Sequence, residues 1–239
     1  MPNAPTLIII PTYNEKENID ELLKRLFALY PTIDVLVVDD HSPDGTQDLV
    51  RDRQKEYGER LILIGREGKN GRGSAVLEGF SFALQHGYQQ VIEMDADFSH
   101  QPEDIRLFLD TIRTCDFVTG SRHLAGSVMH QRGLGRRIIS VLANTYARLV
   151  LGIPLTDYSN GFRCYSRRAL ESLRPEDIQS KGYVVLSETA YQLYRNNMRI
   201  GEVPVTFYDR ARGTSNFGLH EILEGFVAIL RIRFRPRGK

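Results

Sequence analysis

Acidic residues recur in this chain directly after short apolar runs, where a carboxylate at the end of a strand can meet a ligand. Asp95-Ala96-Asp97 follows the run 91–94, Asp39-Asp40 follows 34–38, and Pro11-Thr12-Tyr13-Asn14-Glu15 follows 6–10. An arginine, Arg122 in Gly120-Ser121-Arg122, follows the run 116–119. Two carboxylates one residue apart suit a hard divalent cation, because Mg²⁺ takes one or two carboxylates and completes its shell with water and phosphate oxygens. On extended backbone such a pair would face opposite ways, so a turn must bring the two together or only one ligates directly. Turn and cap chemistry explains one Asp at a strand end. It does not explain acidic clusters after several strands together with an arginine.

The elements that must position these residues are legible in the same runs. Segments 6–10, 34–38, 61–64, 91–94 and 116–119 are apolar and β-branched without strict polar alternation, as strands buried on both faces of a parallel sheet are. Ile19, Leu22, Leu23, Leu26 and Phe27 follow the spacing of an amphipathic helix. A second helix, capped by Ser42, Asp44 or Thr46, runs to about Tyr57, and a third spans 74–86 with Gly87 closing it. Strand and helix alternating in this way imply an α/β fold with a mostly parallel central sheet and helices on both faces. Ligands of such sheets gather outside the carboxyl ends of the strands, which puts all the clusters on one rim. Beyond Gly120, residues 121–137 read as a Gly- and Arg-rich loop. A helix is expected over 138–153, strands over 162–165 and 203–207, and a helix over 187–196. One domain covering 1–239 follows, with a donor half of about 1–120, an acceptor half of about 121–218, and an amphipathic helix with a basic tail at 219–239.

Composition narrows the possible functions. A chain of 239 residues that is 41% hydrophobic and 26% charged is neither disordered nor a disulfide scaffold. Its formal charge of +1 gives no global field for nucleic acid. Cys115 and Cys164 fit neither a zinc spacing nor a redox pair. The N-terminus lacks the basic region of a signal peptide, and no run reaches the ~18–20 apolar residues of a membrane span. A chain that is soluble or peripheral to a membrane is expected.

The motifs IIIPTYNEKENI, VVDDHSPDGT, MDADFSHQPEDI, GSR, GRRIIS, DYSNGFRCY, SKGYVV and IGEVPVTFYDRARGTS together resemble the family 2 nucleotide-sugar glycosyltransferases of GT-A fold. Within that family they are most similar to the dolichol-phosphate mannosyltransferases and other polyprenyl-phosphate sugar synthases. The resemblance runs from about Thr6 to Phe217. It implies that Pro11, Tyr13, Glu15, Val38 and Asp40 hold the donor's base and ribose, and that Ala96 and Asp97 line its diphosphate. Asp97 would ligate Mg²⁺ or Mn²⁺, with Ser99 beside it and Asp95 in support. Arg122, Arg210 and Asn216 would face the donor, while Arg136 and Ser140 would meet the acceptor phosphate. In this sequence Ser99 stands where several relatives have Gln, and Asn216 where many have Lys. Arg212 is the nearest replacement for that lost charge.

The implied reaction moves mannose from GDP-mannose, or a sugar from another nucleotide-sugar, to a polyprenyl phosphate. An anionic phosphate nucleophile needs no general base, only positioning by Asp97, Arg122 and Arg136. Inversion at the anomeric carbon follows from direct attack. Donor alternatives include UDP-glucose. A hydroxyl acceptor would need a basic carboxylate, and Asp157 and Glu188 are the candidates. A non-catalytic regulatory subunit is the reading from another class, and the intact Asp-X-Asp, Arg122 and Arg210 oppose it. His41 and His100 read as hydrogen-bonding loop residues, and Gly71-Arg72-Gly73 as a tight helix start. Leu219, Ile222, Leu223, Phe226, Val227 and Leu230 form an apolar face ahead of Arg231, Arg233, Arg235, Arg237 and Lys239, which cluster around Phe234. With a lipid acceptor, this reads as an interfacial anchor on the cytoplasmic face of a membrane, and 138–153 as an apolar wall along the prenyl chain. Many relatives carry C-terminal spans, so a transmembrane partner subunit is a further expected partner.

Overall fold

The five apolar runs of the first half form β1 (Thr6–Thr12), β2 (Asp34–Asp39), β3 (Leu61–Gly65), β4 (Gln90–Glu93) and β5 (Phe117–Ser121). This computed structural model describes residues 4–130, 134–178, 180, 184–208 and 219–235, leaving out the side chains of Leu134, Arg136, Arg137 and residues 219–224. With β7 (Arg163–Ser166) and β8 (Ile200–Pro204), these strands make a seven-stranded sheet in the order β3-β2-β1-β4-β7-β5-β8. Neighbouring strands are parallel except at β7, which runs antiparallel to both β4 and β5. Opposition to the same strand makes β4 and β5 parallel to each other.

β1 shows why the sheet is buried on both sides. Leu7 and Ile9 enter one apolar cluster, and Ile8 and Ile10 enter the other, because successive side chains on a strand point to opposite faces. The second cluster is closed by α1 (Lys16–Leu29), α2 (Thr46–Tyr57) and α4 (Ile105–Thr111). The first is closed by α3 (Arg72–Gln85), α5 (Leu134–Leu151), α6 (Arg167–Ser172), α7 (Val184–Arg195) and α8 (Leu219–Phe234). Of the candidate caps for α2, Asp44 accepts the Thr46 amide at 3.0 Å. Gly87, at φ 80°, takes the left-handed conformation that ends α3.

Several elements depart from the sequence reading. The expected strand 203–207 is divided between β8 and β9 (Thr206–Tyr208). Pro204 has no amide to donate and ends β8. Val205 then turns the chain, donating to Ser121 O at 3.3 Å and accepting from Val128 N at 3.2 Å. The expected loop 121–137 contains β6 (Val128–His130), which pairs with β9 in a small parallel sheet, and the first turn of α5. A three-residue strand has no periodicity to read, and α4 and α6, at seven and six residues, are too short to show a helical period.

Ile8 is fully buried between β1's neighbours and α1. Ile8→Ala is expected to lower unfolding stability by about 2–5 kcal/mol, read as a shifted denaturant midpoint with an unchanged m-value.

Candidate active site

Because β1, β2, β4 and β5 point the same way, the loops leaving their carboxyl ends meet at one rim. The reversed β7 brings the turn that precedes it, residues 157–162, to the same place. The first two loops are stitched together. Thr12 Oγ1 donates to Asp39 at 2.8 Å, Asn14 N to Ser42 Oγ at 2.9 Å, Glu15 N to Thr46 Oγ1 at 3.1 Å and Lys16 N to Asp44 at 3.1 Å. Asn14, His41 and Phe98, one in each acidic loop, are held at φ 59°. Such left-handed backbone costs a non-glycine residue about 1–3 kcal/mol and tends to cluster at functional sites.

At the carboxyl ends of β1 and β2, Pro11 and Val38 are register partners on adjacent strands, and Val38 is buried. Tyr13 is 37% exposed, with Lys69 Nζ 3.8 Å from its ring centre. Glu15 starts α1 and accepts from Asn18 at 2.8 Å. Asp39 is fully buried and accepts from Thr12, Ser42 and Gln47, so it braces the loop. Asp40 faces the loop after β3. It accepts from Arg66, from Asn70 N at 3.1 Å and from Gly71 N at 2.6 Å.

The turn after β4 resolves how its two carboxylates divide their work. Asp95 is drawn back onto Arg72, whose Nε donates to Oδ1 at 2.7 Å. Asp97 Oδ1 accepts the Ser99 amide at 3.0 Å, so this side chain caps its own turn, and Ala96 is buried between them. His100 Nδ1 accepts the Asp95 amide at 3.0 Å, and its ring stacks on Phe162 with centroids 4.9 Å apart. Burial lowers the His100 pKa and keeps the ring neutral, as an acceptor nitrogen requires. Asp97 and Ser99 offer a donor set of hard oxygens, which fits Mg²⁺ or Mn²⁺. Among the described residues no group of three or more His, Cys, Asp or Glu is arranged to hold a metal, so phosphate oxygens and water would have to complete the shell.

Arg122 leaves β5 and turns onto Asp157. Nε donates to Oδ2 at 2.7 Å and Nη2 to Oδ1 at 2.9 Å, with a further bond to Ser159 Oγ at 2.7 Å. Burial alone pushes an Asp up, but the Arg122 guanidinium outweighs it and holds Asp157 well below the usual carboxylate range. Fully buried Arg163 donates to the carbonyls of Tyr158, Asn160 and Leu186 and so fixes the turn that carries Asp157. Beside this pair, Asn144 on α5 donates to Ser140 O at 2.9 Å, accepts from Tyr158 N at 2.7 Å and meets His123 Nε2 at 3.3 Å. Ser140 therefore lies next to the arginine end of the rim. The Arg136 side chain, one turn earlier on α5, lies outside the described residues. So do Arg210, Arg212 and Asn216, which continue from β9, where Tyr208 N donates to Ser99 O at 3.4 Å.

The second candidate base, Glu188, accepts from Ser180 N at 2.8 Å and from Arg235. That bond also revises the reading of the tail. Arg233 donates to Tyr191 Oη at 3.0 Å and Arg235 to Asp177 O at 2.9 Å, so both arginines face the protein because α8 packs against α7. Among its described side chains Ile229 and Ile232 are buried apolar positions, whereas Val227 and Leu230, part of the apolar face read as an interfacial anchor, are exposed. Arg237 and Lys239 lie outside the described residues. Buried Cys164 has its thiol pKa pushed up by burial, and Cys115 is a free thiol.

Arg72 and Glu93 escaped the sequence reading. The signal was an arginine between Gly71 and Gly73, which reads equally well as a helix start.

A mostly parallel α/β sheet with an Asp-X-Asp turn at its carboxyl rim is the GT-A arrangement of glycosyltransferases. The profile of glycosyl transferase family 2 matches residues 7–174, and the chain belongs to that family. It is 36% identical over 237 residues to polyprenol monophosphomannose synthase of Mycolicibacterium smegmatis, covering 99% of this chain and 89% of that protein. It is 40% identical over 225 residues to undecaprenyl-phosphate mannosyltransferase of Micrococcus luteus, covering 94% and 92%. Among solved structures, glucosyl-3-phosphoglycerate synthase of Mycobacterium tuberculosis with UDP superposes with a TM-score of 0.69 at 18% identity, over 99% of this chain and 82% of that one. The same enzyme with Mn²⁺, UDP and glucosyl-3-phosphoglycerate gives a TM-score of 0.69 at 19% identity, over 99% and 82%. At these identities the structural likeness speaks to the fold.

Breaking the buried Arg122–Asp157 pair from one side leaves an uncompensated charge. Asp157→Asn is therefore expected to cost about 3–5 kcal/mol of unfolding stability. The folded pKa is depressed, so the pair's contribution is complete above the unfolded value near 3.8 and is lost as pH falls through the folded value. Urea titrations across neutral pH should show a constant gap between wild type and variant that closes only in strong acid.

Proposed function

We propose that this chain is a polyprenyl-phosphate mannose synthase, transferring mannose from GDP-mannose to a polyprenyl phosphate with inversion. The observation that carries this reading is the state of Asp157 and Glu188. Both are buried and matched to an arginine, and a depressed pKa leaves Asp157 ionised and a poor base at neutral pH. With neither candidate set up to take a proton from a hydroxyl, an acceptor that is already an anion fits the rim best. The mannosyl transfers named for the Mycolicibacterium and Micrococcus relatives support the same chemistry.

Pro11, Tyr13, Glu15, Val38 and Asp40 would hold the base and ribose, with Ala96 giving the diphosphate close access to the turn. Asp97, with Ser99 beside it and Asp95 in support, would hold Mg²⁺ or Mn²⁺, which neutralises charge on the departing diphosphate. Arg122, oriented by Asp157, would face the donor phosphates together with Arg210 and Asn216. Arg136 and Ser140 would hold the acceptor phosphate in line with the anomeric carbon. One phosphate oxygen then forms the new bond from the face opposite the leaving group as the old carbon–oxygen bond breaks, and the electron pair leaves with the diphosphate.

The acceptor's hydrocarbon needs an apolar surface, and α5 exposes one on the side of the helix turned away from buried Ser140. Leu142 is 62% and Leu149 79% exposed there, and Phe234 on the neighbouring α8 is 76% exposed. No helix among the described residues is long and apolar enough to cross a membrane. Peripheral attachment at a cytoplasmic membrane face, alone or with a transmembrane partner subunit, follows from this reading.

The direct assay supplies purified protein and Mg²⁺ or Mn²⁺ with labelled GDP-mannose or UDP-glucose, with and without polyprenyl phosphate. Label from GDP-mannose should enter organic solvent only when the lipid phosphate is present; exclusive use of UDP-glucose, or transfer to a hydroxyl acceptor, overturns the assignment. Leu142→Glu combined with Leu149→Glu should lower liposome flotation several-fold while leaving the unfolding midpoint within about 0.5 kcal/mol of wild type.

A further inference from the structure

Beneath the Asp95–Asp97 turn sits a cation with no part in the substrate contacts above. Arg72, the first residue of α3, donates from Nε to Asp95 Oδ1 at 2.7 Å and from Nη1 to Glu93 Oε1 at 2.6 Å. Its Nη2 reaches Gly161 O at 3.4 Å. Glu93 is buried and takes a second hydrogen bond from Tyr165 Oη at 2.9 Å. Burial opposes the charge on Arg72, but Asp95 and Glu93 more than offset it and keep the guanidinium cationic. Gly161 is needed for this approach, since a Cβ there would lie 3.0 Å from Arg72 Cζ and closer still to Nη2. The segments after β3, after β4 and before β7 thus meet on one planar fork, a geometry that a lysine cannot reproduce.

We propose that Arg72 is a positioning residue that keeps Asp95 off the catalytic cation, so that Asp97 is the carboxylate that ligates it. The inference rests on the metal reading given under the proposed function. Two carboxylates one residue apart would both be drawn to a divalent ion, and capture by both would pull the ion toward β4, away from the diphosphate. Arg72 holds Asp95 Oδ1 and neutralises one charge of the Glu93–Asp95 pair, which leaves the outer carboxylate to set the ion's place.

The reverse of an ordinary loss of function follows: removing Arg72 should tighten metal binding while slowing the reaction. The test uses Arg72→Leu together with Glu93→Gln, so that no unmatched buried carboxylate remains and Tyr165 still has an oxygen to meet. Mn²⁺ affinity is read without substrate from the paramagnetic resonance signal of free Mn²⁺, and kcat and donor KM are read at saturating metal. The double variant should bind Mn²⁺ on the order of tenfold more tightly, with kcat at least tenfold lower and donor KM within threefold of wild type. Adding Asp95→Asn should return Mn²⁺ affinity to the wild-type value. Gly161→Ala, which displaces the guanidinium without removing it, should shift affinity and kcat in the same directions. Mn²⁺ binding that is unchanged or weaker in the double variant, or an unchanged kcat, overturns the role of Arg72 alone. A wild-type protein that binds no Mn²⁺, with or without GDP, overturns the metal reading and this inference with it.

Discussion

Carboxylates gathered at the end of a buried sheet must be matched by cations or hydrogen-bond donors supplied by the protein, and this condition governs the architecture of the rim. Parallel strands deliver their loops to one place, so negative charge accumulates where water is scarce and desolvation is costly. The chain answers with arginines from other elements: Arg66 for Asp40, Arg72 for Glu93 and Asp95, Arg122 for Asp157, and Arg235 for Glu188. Each pair joins segments remote in sequence, so charge compensation and loop positioning are the same set of contacts. Neutral His100 and fully buried Arg163 belong to this scheme, since one accepts a backbone amide under the Asp-X-Asp turn and the other ties down the turn that bears Asp157.

Much of this was legible in the sequence. The first five strands appear as apolar runs because burial on both faces removes polar alternation, and the acidic clusters mark the carboxyl rim because charge is concentrated where the strands end. What stayed hidden depends on distant partners. β7 reads as a weak strand because Arg163 interrupts it, and nothing local says that it enters the sheet antiparallel between β4 and β5. Asp157 invites reading as a base until Arg122 is seen across it. Arg233 and Arg235 look like part of a basic membrane anchor until α8 is placed against α7. Arg72 lies in a Gly-Arg-Gly turn whose local pattern says nothing of the two carboxylates it serves. Local chemistry is written in spacing, whereas ion pairing between elements is written in topology.

The two ends of the molecule suit an amphiphile. The rim is charged and its loops carry left-handed residues, whereas α5 and α8 expose leucine and phenylalanine to solvent. A sugar acceptor with a phosphate head and a hydrocarbon tail would use both at once, with the head among Arg136, Ser140 and Arg122 and the tail along the helices.

All of it hinges on Asp97 being where a divalent ion joins the protein to the donor's diphosphate. Crystals grown with Mn²⁺ and GDP, measured at the manganese absorption edge, test this most directly. The account predicts one anomalous peak in coordination contact with the Asp97 carboxylate and both phosphates, and no direct bond to Asp95. A peak ligated by Asp95, or a GDP bound away from the ends of β1, β2 and β4, would contradict it.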